Sequence, residues 1–381
     1  MAKKRTTKKR VQTIEAETDP AQELVTPPLE RDLDRVLGQP RAIETLDAAI
    51  ASGRIHHAWI FHGPSGVGKF TTALAFASVI LDPETAPDLS GRHRPDPESA
   101  VQRRVRDGTH PDLHVIRKEL AVFSESSSVR GSKQMTIAKD VIDQRLLQPA
   151  YRAATLGGGL VGKVFIVDEA ELLDRSTSNA VSQNALLKTL EEPPEGTVII
   201  LVTSSEDRLL PTIRSRAQRV AFGPLPGDAM EAWVAECGLD LGRERDWLLG
   251  YASGSPGRLV EAVETGLASW GEALAPGLAA ADAGRFDPML APAMRDLVEG
   301  WAKAWVAQDD KRSKESANRM ALDRLFGMIG EHARARLREP KLASRALGMI
   351  EAIGRAESLL RANVQPALVL EGLAADLPAG G

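Results

Sequence analysis

The chain has 381 residues, a formal net charge of −4, 43% hydrophobic residues and 26% charged residues. That length allows roughly two or three domains with real cores, and the mildly acidic balance excludes bulk attraction for nucleic acid, leaving local patches for any such contact. A single cysteine, Cys237, excludes an intrachain disulfide and any zinc site built from several thiolates.

No run approaches the ~18 apolar residues of a membrane span, and no apolar signal core follows the basic start, so a soluble, cytoplasmic protein is expected. Residues 1–30 open on "AKKRTTKKR" and lack helical or strand periodicity, the pattern of a disordered, solubilising tail. Order is expected from near Leu37, where "GQPRAIETLDAAIASG" places Ile43, Leu46, Ala49 and Ile50 on one helical face and ends in Gly53. "HAWIF" then reads as a short buried strand running into the glycine loop "GPSGVGK", and "TTALAFASVIL" as the helix that follows.

The segment 82–106 is rich in Pro, Asp and Arg and reads as a surface insertion; "DLHVI" reads as a strand and "TIAKDVIDQRLL" as a helix. "KVFIVDEAELL" is a buried strand ending in paired carboxylates, "SNAVSQNALLKTLEEPP" a helix stopped by prolines, and "TVIILVTSS" a second β-branched buried strand. Strands alternating with helices imply a parallel, doubly wound α/β sheet. After Pro224 the strand signals fade and "AMEAWVAEC", "RDWLLGYAS" and "PGRLVEAVE" are helical. The expected division is a tail over 1–30, an α/β P-loop domain over 31–223, a small helical domain over 224–275 and a helical C-terminal domain over 276–381.

The glycine loop carries the chemistry. A phosphate-binding loop surrounds phosphates with backbone N–H groups at a helix N-terminus, and its lysine adds a point charge. Gly63, Gly66, Gly68 and Lys69 fit that pattern, but the next residue is Phe70, where a Ser or Thr hydroxyl normally ligates Mg²⁺. Thr71 points about 100° further around the helix. The expectation is therefore ATP binding that is weak at best, Mg²⁺ only where ATP is bound, and doubtful hydrolysis. Asp168 and Glu169 in "VFIVDEA" supply a Walker-B pair, one carboxylate to orient Mg²⁺-bound water and one to polarise an attacking water.

"HHAWIFHGPSGVGK", "GTHPDLHVI", "VFIVDEAELL", "NALLKTLEEPP" and "LLPTIRSRAQ" together resemble bacterial sliding-clamp loader subunits of the AAA+ superfamily over residues of about 36 to 260. The resemblance implies an AAA+ core, a helical lid and a helical collar through which subunits form a hetero-pentameric ring that loads the sliding clamp on primed DNA for the replicative polymerase, with sequence-independent DNA contacts. It also implies that the arginine of Ser215-Arg216-Ala217 reaches across to a neighbouring subunit's ATP. Thr203 and Ser204 fall at its sensor-1 position and Arg258 in "GSPGR" at sensor 2, although capping or surface chemistry accounts for these residue types equally well. Many relatives carry a cysteine-ligated zinc module after the P-loop helix; this chain lacks the cysteines, so no zinc is expected, and His93, His110 and His114 read as loop and strand-end residues. His56 and His57 read as structural, and Cys237 as packing on a helical face.

The leading reading is a clamp-loader subunit whose own ATPase is weak or absent and whose Arg216 acts in trans. The alternatives are an ATPase-active clamp-loader subunit, with Thr71 serving the metal, and a free-standing AAA+ ATPase acting on DNA.

Overall fold

The computed structural model describes residues 32–130, 136–174, 180–307 and 313–379; the basic tail expected at the N-terminus lies outside them. Five strands form one parallel sheet: β1 (Ala58–His62), β2 (Leu113–Ile116), β3 (Lys163–Val167), β4 (Thr197–Thr203) and β5 (Gln218–Ala221), in the order β2-β3-β4-β1-β5. This is the parallel, doubly wound α/β arrangement expected from the sequence. Strands β1, β3 and β4 are buried almost throughout, which explains why they read as continuous apolar runs rather than alternating ones.

Strand β5 had no place in the sequence reading. It lies at the sheet edge beside β1, and in "QRVA" only Val220 is buried, so its apolar signal is too thin to register.

Helix α1 (Pro40–Ala51) buries Ala42, Leu46 and Ile50, with Pro40 in its first turn. Helix α2 (Lys69–Leu81) follows the glycine loop and is buried on nearly every face. Its Phe76 lies 5.3 Å from Trp59, edge to face, and 6.4 Å from Phe61. Burying aromatic rings of this size stabilises the domain by roughly 1.5–3 kcal/mol each, and here it also fixes the helix whose N-terminus forms the phosphate loop.

The segment 82–106 is more built than a surface insertion. Residues Ala86–Pro87 and His93–Arg94 pair antiparallel, and α3 (Ala100–Arg106) is capped by Ser99. Ser99 also donates to Asp82 at 2.5 Å, and Gln102 donates to Ser78 O at 2.9 Å and to Asp82 at 3.0 Å, which ties the segment to the end of α2. His114 stacks on Phe165 with ring centroids 4.7 Å apart.

Helices α4 (Val181–Glu191) and α5 (Pro211–Arg214) follow β3 and β4. Among the described residues after β5 the regular elements are helices: α6 (Gly227–Cys237), α7 (Arg245–Ala252), α8 (Pro256–Glu264), α9 (Ala268–Asp282), α10 (Leu290–Val306), α11 (Lys314–Arg336), α12 (Ala343–Arg361) and α13 (Pro366–Asp376). Helix α9 runs unbroken through Ala275 and Pro276, where the sequence suggested a division; the chain absorbs Pro276 in mid-helix instead of breaking there. In α10, Leu290, Met294, Val298 and Ala302 recur every fourth residue and are the buried face.

Cys237 corrects its sequence reading. As the last residue of α6, just before Gly238 in the left-handed conformation, it is exposed rather than packed in a core.

Candidate functional site

A cavity of about 680 Å³ opens at the carboxyl ends of the strands. That is where open α/β sheets bind ligands. Ser65 to Thr71, Asp168, Glu169, Thr203 and Ser204 line it, together with Pro256 and Gly257. Gly63, Gly66 and Gly68 all have positive φ, so the glycines in the loop meet a backbone requirement and not merely a motif. A Cβ at Gly63 would sit 2.1 Å from the Phe222 carbonyl oxygen, which excludes any side chain there.

Lys69 is only 6% exposed. Its Nζ donates to the carbonyls of Gly63 at 2.8 Å and Pro64 at 2.6 Å. Burial lowers its pKa, opposed by the negative charges of Glu171 and Asp168. The lysine thus reaches back over its own loop, where a phosphate oxygen would compete for it.

Register explains the acidic end of the site. Strands β2 and β3 pair with Ile116 opposite Val167, so the next residues along both strands meet as well: Arg117 beside Asp168 and Lys118 beside Glu169. Arg117 donates its Nε–H to Asp168 Oδ2 at 3.0 Å, and its Nη2 lies 2.8 Å from the same oxygen as an ion pair. Asp168 Oδ1 accepts the Glu169 N–H at 3.0 Å. Burial raises the Asp168 pKa, and Arg117 opposes the rise. Lys118 Nζ lies 2.8 Å from Glu169 Oε2; burial is the largest influence and pulls its pKa down, but the bond to Glu169 and the negative charges of Glu169, Glu119 and Asp168 together outweigh it and the net shift is upward.

Phe70 completes this arrangement, because the Arg117 guanidinium lies over its ring at 4.3 Å from the centroid.

Thr203 is buried and accepts the Ser205 N–H at 3.0 Å, whereas Ser204 donates both its N–H and its hydroxyl to Glu171. The other Glu171 oxygen is buried without a hydrogen-bond partner. Thr71 also lines the cavity.

Two expected residues lie elsewhere. Arg258 turns away from the cavity: Nη1 meets Glu331 at 3.1 Å and the guanidinium lies 4.6 Å from the Tyr251 ring, so this structure does not bring it to the loop. Arg216 is on the surface after α5, with Nη2 2.7 Å from Glu191 and Nη1 donating to Thr212 O at 2.9 Å.

The groups present fit phosphate better than metal. The glycine loop, the N-terminus of α2 and Lys69 suit a phosphate chain, and Val36, Leu37, Leu225, Trp233 and Val260 give the cavity an apolar end for a base. Mg²⁺ demands octahedral oxygen ligands, yet position 70 offers a phenyl ring and both Asp168 oxygens are already engaged.

Arg117, Lys118, Glu171 and Gly257 escaped the sequence reading. The first two were visible only as "RK" after a strand, and nothing in the sequence fixes the pairing that carries them to Asp168 and Glu169.

Residues 38–226 match the family model described as DNA polymerase III, delta subunit. Over those residues the chain is similar to the DNA polymerase III delta-subunit family. It is 33% identical over 198 residues to the DNA polymerase III subunit delta' of Bacillus subtilis, covering 52% of this chain and 51% of that one. It is 30% identical over 217 residues to the subunit delta' of Escherichia coli, covering 56% of each. A DNA polymerase III subunit gamma/tau of Mycobacterium bovis is 30% identical over 200 residues, 52% of this chain and 30% of that one.

The chain spans about half the length of the curated delta' relatives it matches. Among solved structures it is similar to a gamma subunit-related protein of Thermotoga maritima, with a TM-score of 0.42 at 20% identity, covering 89% of this chain and 99% of that one. Among the described residues, no helix is long and apolar enough to cross a membrane.

Proposed function

We propose that the chain is a cytoplasmic subunit of the DNA polymerase III clamp loader, working in a hetero-pentameric ring that places the sliding clamp on primed DNA. In this reading its own ATPase is weak or absent, Asp168 and Glu169 are vestigial, and Arg216 acts on the ATP of a neighbouring subunit. Gly63, Gly66, Gly68, Lys69, Thr71, Thr203 and Ser204 hold whatever nucleotide the chain itself takes. The DNA contact is to backbone and independent of sequence.

One observation carries this reading: the division between the two arginines. Arg117 occupies the Walker-B carboxylate inside the chain's own cavity, while Arg216 stands on the surface outside it, held by an exposed carboxylate and one carbonyl. A guanidinium placed there stabilises phosphate charge from outside a site. The test is reconstitution with the other loader subunits. Arg216→Ala is expected to abolish the ATPase of the complex while leaving assembly intact; preserved ATPase removes the in-trans role.

A second reading, an ATPase-active subunit of the gamma/tau type, is favoured by the gamma/tau relative and by the retention of Lys69, Asp168, Glu169 and Thr203 around one cavity. Purified chain that hydrolyses ATP on its own, with loss on Lys69→Ala, would establish it.

A further inference from the structure

We propose that Arg117, backed by Phe70, takes the place of the divalent cation in this phosphate site, so that the folded chain excludes Mg²⁺ from Asp168. The inference rests on the reading that the chain's own site is not a working ATPase, and gives it a physical cause.

Three observations converge. The sheet register delivers Arg117 to Asp168, and its Nε and Nη2 lie 3.0 and 2.8 Å from Oδ2. The other oxygen accepts the Glu169 N–H at 3.0 Å, so a metal-bound water would have to compete with a donor already in place at either oxygen. The residue that would supply the metal's hydroxyl ligand is Phe70, whose ring instead makes a platform for the same guanidinium at 4.3 Å. Phe70 is therefore a positioning residue: it removes a ligand and also holds the group that replaces the ion.

Arginine suits this place for physical reasons. Its guanidinium is planar, permanently charged and weakly hydrated, so it can donate to a carboxylate and stack on an aromatic face at once. Lysine, a compact and strongly hydrated charge, would do neither as well. Lys118 repeats the neutralisation at Glu169, 2.8 Å away, so both Walker-B carboxylates carry a built-in counter-charge that does not depend on metal concentration. Near these groups the loop lysine is satisfied by two carbonyls of its own loop. The site holds its assembled geometry through its own side chains.

The experiment is Mn²⁺ uptake by the full chain, followed by electron paramagnetic resonance with and without ATP. Wild-type protein is expected to take up no Mn²⁺ or Mn²⁺–ATP in a manner that depends on Asp168. Phe70→Thr with Arg117→Ala should gain Mn²⁺–ATP binding roughly tenfold or more tighter than wild type, and adding Asp168→Asn should remove the gain. Arg117→Gln alone carries the same comparison should the double variant fail to fold, as judged by circular dichroism. Two results overturn the proposal: wild-type uptake that Asp168→Asn abolishes, or folded variants that still refuse the metal. Failure here is distinct from failure of the clamp-loader reading, which is decided by Arg216→Ala in the reconstituted complex.

Discussion

The backbone N–H of Gly257 donates to the carbonyl of Gly66 at 2.9 Å, joining the first turn of α8 to the phosphate loop. Ser255 reinforces the junction by donating its hydroxyl to Ser65 O at 2.9 Å while capping α8. The helical segment after the sheet is thereby fastened to the element that would hold phosphate.

The joint depends on two glycines. A Cβ on Gly257 would lie 2.7 Å from Gly66 Cα, and backbone cannot yield as a flexible side chain can. Gly257→Ala is therefore expected to lower stability by about 1–3 kcal/mol. Gly66→Ala should cost at least as much, because φ there is +74° and a Cβ would meet Ser255 Oγ at 2.4 Å. Urea denaturation followed by tryptophan fluorescence measures both. An unchanged midpoint for Gly257→Ala would show that the contact is not made in solution.

Arg117 and Asp168 should behave as one unit. Asp168 is 16% exposed and Arg117 29%, so removing either leaves a largely desolvated charge behind. Arg117→Ala is expected to destabilise by about 1–3 kcal/mol, and Asp168→Asn in the same chain should recover part of the loss because no unpaired carboxylate then remains. A double-mutant cycle reads the coupling directly. Strictly additive effects would mean that the pair contributes nothing beyond its parts.

The sheet was legible in the sequence wherever burial was two-sided. "HAWIF", "KVFIV" and "TVIILVT" announce themselves because apolar residues fill both faces, and the glycine loop because its chemistry constrains a contiguous run. Edge strand β5 did not, since a single buried valine is no periodicity. The site was legible as far as Lys69, Asp168 and Glu169, and stopped at Arg117, because residues 51 positions apart meet only through strand register. Arg258 marks the opposite failure: its place in a motif suggested the cavity, yet Glu331 on α11, far away in sequence, draws its charge elsewhere.

Arg216 should be expendable to the fold. Its partner Glu191 is half exposed and the arginine about a third, and pairs of that kind contribute roughly 0–1 kcal/mol. Arg216→Ala is thus expected to leave the denaturation midpoint of the isolated chain nearly unchanged, while ATPase of the reconstituted complex falls on the order of 10³-fold. Arg216→Lys should restore little, since a lysine cannot reproduce the planar, forked donor geometry. A complex that lost assembly in parallel with activity would point to a structural arginine instead.

His110 gives the fold a pH dependence with a definite sign. Its ring is buried, its Nδ1 accepts the Asp112 N–H at 3.2 Å and its Nε2 has no hydrogen-bond partner. Burial pushes its pKa down to about 4, with Arg104 acting in the same direction and Asp112 and Asp82 opposing. In the unfolded chain the ordinary value of 6.5 returns, so between about 6.5 and 4 the unfolded state binds more protons than the folded one. Stability from this group is therefore complete above about pH 6.5 and is lost progressively as the pH falls toward 4, by about 3 kcal/mol at most. Asparagine at this position keeps an acceptor for the Asp112 N–H but cannot titrate. His110→Asn should accordingly flatten the stability profile between pH 6.5 and 5, measured by chemical denaturation at each pH. If wild type and variant lose stability in parallel over that window, the pH dependence comes from other groups and the buried imidazole is not its source.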